Sequence, residues 1–226
     1  MRAEQYRTAT AARQGLLFMG AVPGVAFGDR VLVRDHRGRR RTGQVIRTSS
    51  DAVLVQRAEG TDDLDLENTW ARFLDKSFQL AVSPDLLGRV FGGIGQPLDD
   101  RPPIVSGERR DVNGAPANPA ARAYPREFIQ TGISAVDGLN SLVRGQKLPI
   151  FTGSGLPHNR LAAQIVRQAK LPGQESRFAV VFAAMGVSYG DARFFEEEFT
   201  ASGVLGNVVM FINRADDPPM ERLVLP

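Results

Sequence analysis

Phe151 to Arg160 reads FTGSGLPHNR, and the reading of these ten residues decides the fold. Before them stands an apolar, strand-like run, Leu148 to Phe151. After them a helix-like run begins near Pro157. A loop of the form G-x-x-x-x-G-K-[ST] between strand and helix cradles phosphates with backbone N–H groups, neutralises them with its Lys and holds Mg²⁺ through the hydroxyl. With Gly155 as the second glycine, Ile150, Leu156 and Pro157 occupy the places of Gly, Lys and Ser/Thr. The loop has the outline of a phosphate cradle without its charge or its metal ligand.

Working outward, Pro157 to Lys170 places Leu161, Ala162, Ile165, Val166 and Ala169 on one side and Arg160, Gln164, Arg167 and Gln168 largely on the other, which predicts an amphipathic helix. Downstream, Phe178 to Ala184 (FAVVFAA) is apolar at every position, as a parallel strand buried on both faces would be. Asp191 to Ala201 spaces Ala192, Phe195 and Phe199 for a helix. Val208 to Ile212 predicts another buried strand, and a new element begins at Met220. Upstream, Thr131 to Leu142 spaces Ile133, Val136, Leu139 and Leu142 for one helical face. Strand and helix signals alternate after Tyr124, which predicts the first half of a parallel α/β sheet.

The N-terminal third has another texture. Between Gly15 and Gln56, short β-branched runs (Val31 to Val33, Val45-Ile46, Val53 to Val55) are separated by Pro23-Gly24, Gly28-Asp29 and Ser49 to Asp51, which predicts a small β-barrel. Arg34, Arg37, Arg39, Arg40 and Arg41, with Asp35 and His36, surround the expected hairpin tip and read as a solvated turn. The acidic residues Asp62, Asp63, Asp65 and Glu67 fail the calcium-loop pattern, because Asn68 stands where it needs Gly. Trp70 with Phe73 and Phe78 is expected to cover the junction between the barrel and the next part of the chain. Ser83 to Gly88 reads as one capped helical turn, with Pro84 at its first position. Phe91 to Pro125 is dense in Gly and Pro and reads as connection, with Gly92, Gly93 and Gly95 in turns. The expected division is therefore 1–75 (barrel), 76–125 (connection) and 126–226 (incomplete α/β domain).

Composition narrows the function classes. The chain has 226 residues, 42% hydrophobic and 23% charged, with a formal net charge of only +3. That balance gives no reason to expect nucleic acid as a partner. Cysteine is absent, so disulfides, zinc–thiolate sites and cysteine nucleophiles are excluded. No segment reaches the roughly 18 apolar residues of a membrane span, so membrane association is expected only through partners.

The block FIQTGISAVDGLNSLVRGQKLPIFTGSGLPHNRLAAQIVRQA (Phe128 to Ala169), with LLGRVFGGIGQPLDD upstream and FAVVFAAMG and INRADDPPMER downstream, resembles the B subunit of V-type and archaeal-type rotary ATPases. This is the non-catalytic, regulatory subunit, and the family includes bacterial members that work as ATP synthases. The resemblance runs over nearly the whole chain, and the GSGLP run is its most telling part: the catalytic partner keeps Lys and Thr there. It implies an N-terminal β-barrel, a RecA-like nucleotide-binding fold and a C-terminal helical domain, of which this sequence represents the first two, as if truncated after its first half. It further implies a hetero-hexamer in which B subunits alternate with catalytic A subunits, with central and peripheral stalk subunits as further partners. The place implied is cytoplasmic, at the membrane only through the proton-translocating complex.

Gly153, Ser154, Gly155, Leu156, Pro157, His158 and Asn159 are accordingly expected to bind nucleotide weakly or not at all. No cofactor is expected to be held tightly, with ATP or ADP left to subunit interfaces. No catalytic and no metal-binding residue is expected. His158 and Asn159, standing near the lost Lys and hydroxyl, read as an exposed helix start. Asp191, Glu196, Glu197 and Glu198 read as a solvated helix face, and Asp216 and Asp217 as a loop. The alternatives are an active P-loop ATPase of the same superfamily, disfavoured by Leu156 and Pro157, or a self-sufficient β-barrel interaction module. A sheet of about three strands is expected to leave Val208 to Ile212 with an open edge, so that the barrel outlasts the rest.

Overall fold

The computed structural model describes residues 4–57, 64–105, 107–116, 118–173 and 178–226; Asp62 and Asp63 of the acidic segment lie outside them. Six strands form the N-terminal unit: β1 (Ala9–Arg13), β2 (Leu16–Gly20), β3 (Arg30–Arg34), β4 (Arg40–Thr48), β5 (Ala52–Arg57) and β6 (Trp70–Phe73). They pair antiparallel in the order β1-β2-β5-β4-β3-β6. The sheet curls until its ends meet. Tyr6, just before β1, donates its N–H to Ala71 O at 2.8 Å and accepts that of Ala71 at 2.9 Å. Closure of this kind removes the exposed edges that invite foreign strands.

Alternation along the strands fills the interior with Leu17, Met19, Val31, Val33, Val45, Val53, Val55 and Phe73, each at most 1% exposed. Gly43 is glycine for lack of room: a Cβ there would lie 2.8 Å from Gln56 O. At the β3–β4 tip, Asp35 accepts N–H bonds from Arg37 and Arg39 (2.9 Å each) and the Arg39 guanidinium (2.7 Å), which fixes the turn.

Trp70 does not cover a junction. Two-residue periodicity places Trp70 and Phe73 on opposite faces of β6, so Phe73 enters the barrel core while Trp70 lies half-buried outside. Phe78 belongs to a separate cluster with Met220. Asp65 caps a single 3₁₀ turn at Leu66–Asn68.

The second unit contains β7 (Gln79–Val82), β8 (Val90–Gly92), β9 (Glu108–Asp111), β10 (Phe128–Ile129), α1 (Ser134–Leu139), β11 (Leu142–Val143), α2 (His158–Gln168), β12 (Val180–Val187), α3 (Tyr189–Ala201), β13 (Val208–Arg214) and α4 (Pro219–Val224). Its centre is a parallel sheet in the order β12-β13-β8. The capped turn stands as read, with Ser83 Oγ accepting the N–H of Asp85.

The structure departs from the sequence pattern at several strands, and β7 and β9, inside the stretch read as connection, pair antiparallel with each other. Val90–Gly92, inside the stretch read as connection, is a strand beside β13. Val208 to Ile212 is therefore central, and the open edge belongs to β12. Leu148 to Phe151 is coil, with Phe151 92% exposed: Pro149 removes one donor, and among the described residues no strand pairs with it. Nor is β12 buried on both faces, because Val181 is 70% and Met185 50% exposed. Its other face packs on α2 and α3, where Phe182 meets Phe195 (4.6 Å between centroids) and Phe199 (5.2 Å). Residues Ala192, Phe195 and Phe199 face that core as spaced. Helix α1 is shorter than the spacing predicts and leaves Leu139 exposed.

Candidate functional site

Residues 151–158 all face solvent. Gly155 takes φ +82°, a left-handed conformation that favours glycine, and turns the chain toward α2. A phosphate cradle needs several N–H groups converging on one point. Here Leu156 N–H is directed at Gly153 O (3.4 Å), His158 N–H donates to Leu156 O (2.9 Å), and Pro157 has none. Pro157 also has a non-helical backbone (φ −81°, ψ 49°), so α2 starts only at His158 and without a side-chain cap. Gly153, Ser154 and Gly155 thus keep the outline of a cradle, while the donors after them are used within the loop.

His158 is exposed. Asn159 is turned away from the loop: its Nδ2 donates to Asp191 Oδ1 at 2.6 Å. Asp191 in turn accepts Ser188 Oγ–H at 2.6 Å and returns its own N–H to that oxygen at 3.1 Å. Asn159 therefore fastens α2 to the capped start of α3, and Asp191 is engaged in that cap.

The other acidic residues read in the sequence are similarly placed. Glu197 pairs with Arg193 and Glu198 with Arg167. Burial pushes the Glu196 carboxyl up, against the attraction of Arg214. Asp217 accepts the Arg214 N–H (2.7 Å) and guanidinium (3.1 Å), closing the turn after β13; Asp216 is exposed. Among the described residues no group of three or more His, Cys, Asp or Glu is arranged to hold a metal ion.

At the carboxyl ends of the parallel strands, the usual place for a ligand in such sheets, the structure holds a cluster that sequence reasoning missed. Glu221, 6% exposed, accepts the N–H of Gly93 and Nε2 of Gln96, both at 3.1 Å. Burial raises its pKa, and Asp217 adds to the rise. The next residue, Arg222, donates Nε to Asn213 Oδ1 (2.9 Å), which also accepts the N–H of Gly186 (3.2 Å). Two consecutive side chains of α4 thus hold the ends of β8, β12 and β13 together. Nothing in INRADDPPMER announces the Glu221 contacts, because their partners Gly93 and Gln96 are far away in sequence, while Arg222 and Asn213, nine positions apart within it, meet only because β13 turns back into α4.

Residues 132–226, the part carrying this loop and two of the three parallel strands, match the ATP synthase alpha/beta family, nucleotide-binding domain. Over all 226 residues the chain is 71% identical to the V-type ATP synthase beta chain of Nitrosococcus oceani, covering 47% of that protein. The chain belongs to this family. It is also 55% identical over 215 residues, 95% of its length, to the B subunit of the A-type ATP synthase of Staphylothermus marinus, covering 46% of that protein. With the corresponding B subunit of the A-type ATP synthase of Methanopyrus kandleri it shares 52% identity over 223 residues, 99% of its length and 22% of that protein. The chain thus spans about half the length, or less, of these ATP synthase relatives. Among the described residues no helix is long and apolar enough to cross a membrane.

Proposed function

We propose that this chain serves as a non-catalytic, regulatory and structural B-type component of a proton-translocating V/A-type ATP synthase head. In this reading it packs against catalytic A subunits in an alternating hetero-hexamer, with central and peripheral stalk subunits as further partners. It resides in the cytoplasm, at the membrane only through the complex.

The observation that carries the reading is the loop from Gly153 to Asn159, which has neither the Lys nor the hydroxyl of a working phosphate cradle and uses its later N–H groups internally. A hydrogen bond to a charged group contributes about 1.5 to 3 kcal/mol; at about 1.4 kcal/mol per decade, loss of the Lys weakens phosphate binding roughly 10 to 100-fold. ATP or ADP then binds at such a loop only where a neighbouring subunit supplies the missing charge. Ile150, Phe151 and Leu156 stand exposed around the loop, and apolar exposure of this kind suits burial against a partner.

Co-expression with a full-length catalytic A subunit tests the proposal. The two chains are expected to co-purify, with Phe151→Glu weakening the association, and the chain alone is expected to hydrolyse no ATP. Turnover abolished by changes within Gly153–Asn159 would assign an active P-loop ATPase instead. Failure to retain the A subunit would favour a free-standing barrel module.

A further inference from the structure

The outer face of the barrel around Trp70 carries a cationic cleft in which Arg34 and Arg40 stand side by side. On β3, Val31 and Val33 point into the core, so Leu32 and Arg34 point outward. The pairing sets Arg34 between Arg40 on β4 and Trp70 on β6, and Leu32 between Thr42 and Arg72. Neighbouring strands lie about 4.8 Å apart, and like charges directly opposite one another on a sheet are destabilising. Arg34 and Arg40 are nevertheless opposite each other, both exposed, and among the described residues neither has a carboxylate partner.

The nearest carboxylate in sequence, Asp35, is 3% exposed and committed to Arg39 and the hairpin amides. Arg7 adds a further cation, its Cζ 5.7 Å from the Trp70 ring centroid. Its own hydrogen bonds go to the backbone oxygen of Glu67 and to Asn68 Oδ1.

Gln5, Leu32, Arg34, Arg40, Trp70 and Arg72 line a cleft of about 90 Å³. That volume admits a carboxylate with the methylene behind it. Trp and Arg are also the side chains enriched at the energetic centres of protein interfaces. We infer that this face docks an acidic segment of a protein partner, an Asp or Glu carboxylate entering between Arg34 and Arg40 while its neighbours rest on Leu32 and Trp70. The surface lies on the barrel and is independent of the loop from Gly153 to Asn159.

Trp70 is the only tryptophan, so its emission reports on the cleft directly. The full chain is titrated at low ionic strength with a hexaglutamate peptide and, separately, with a 12-nucleotide oligothymidylate. The expected result is a saturable change with the peptide that weakens with added salt, since exposed charges are screened. The double substitution R34Q/R40Q is expected to weaken it at least tenfold with no fall in the thermal midpoint. R13Q/R47Q, which removes the same charge elsewhere on the barrel, is expected to leave it unchanged. The inference is overturned by an absent or non-saturable response, by equal losses in the two double variants, or by tighter binding of the oligonucleotide, which would assign the face to nucleic acid.

Discussion

Replacing Asp99 with Asn removes one half of an ion pair at the entry to β8. Arg89 grips both oxygens of the Asp99 carboxylate (Nη2 to Oδ1, 2.9 Å), donates to Pro102 O at 3.0 Å and lies 5.4 Å from the Phe91 ring centroid. The side chains are only 7% and 13% exposed. The guanidinium holds Asp99 at a pKa of about 2, against an ordinary 3.8. At 1.36 kcal/mol per unit that difference corresponds to about 2.5 kcal/mol. The sign follows from the depressed pKa: the contribution is complete above the unfolded value of 3.8 and is lost as pH falls through the folded value of about 2. Removing one partner of a buried pair also strands the other charge, a cost of about 3 to 5 kcal/mol in dry interiors. Urea unfolding followed by far-UV circular dichroism is therefore expected to show Asp99→Asn less stable at pH 7 by about 2 to 4 kcal/mol. The gap between wild type and variant should close between pH 4 and pH 2. A gap below about 0.5 kcal/mol, the size of an ordinary surface effect, would refute the reasoning, as would one that does not change with pH.

Glu221→Gln acts in the opposite direction. Because burial raises the folded pKa of Glu221, its contribution is greatest at low pH and falls as pH rises through that value. Thermal unfolding from pH 4.5 to 8 should show this decline in the wild type and a flatter profile in the variant. Gly43→Ala forces a Cβ against the Gln56 carbonyl and should cost about 1 to 3 kcal/mol, read from the barrel transition through Trp70 emission. Ser188→Ala removes the oxygen that caps α3 and should cost about 1 kcal/mol in urea unfolding, with faster amide exchange at Asp191.

The barrel was legible because its signal is local: β-branched pairs at alternate positions, such as Val31 and Val33 or Val53 and Val55, state which face is buried. Ala192, Phe195 and Phe199 did the same for α3. Elements whose existence depends on a distant partner were not legible. Val90–Gly92 is three residues long and runs out in two glycines, Gly92 and Gly93, so only the adjacent β13 makes it a strand. Leu148 to Phe151 shows the converse, an apolar run with the composition of a strand and no partner among the described residues. Closure of the barrel through Tyr6 and Ala71 leaves no periodic trace. In the site, the missing Lys and hydroxyl could be read from Leu156 and Pro157 directly. The engagement of Asn159 with Asp191, and of Glu221 with Gly93, could not, since hydrogen-bond partners 32 and 128 positions apart carry no spacing rule.

The central claim is that the loop from Gly153 to Asn159 is a phosphate cradle without working chemistry, and calorimetric titration of the chain with MgATP tests it most directly. No saturable binding by the chain alone and no release of phosphate are expected. Tight, stoichiometric binding that Gly155→Glu abolishes without unfolding the protein would contradict it.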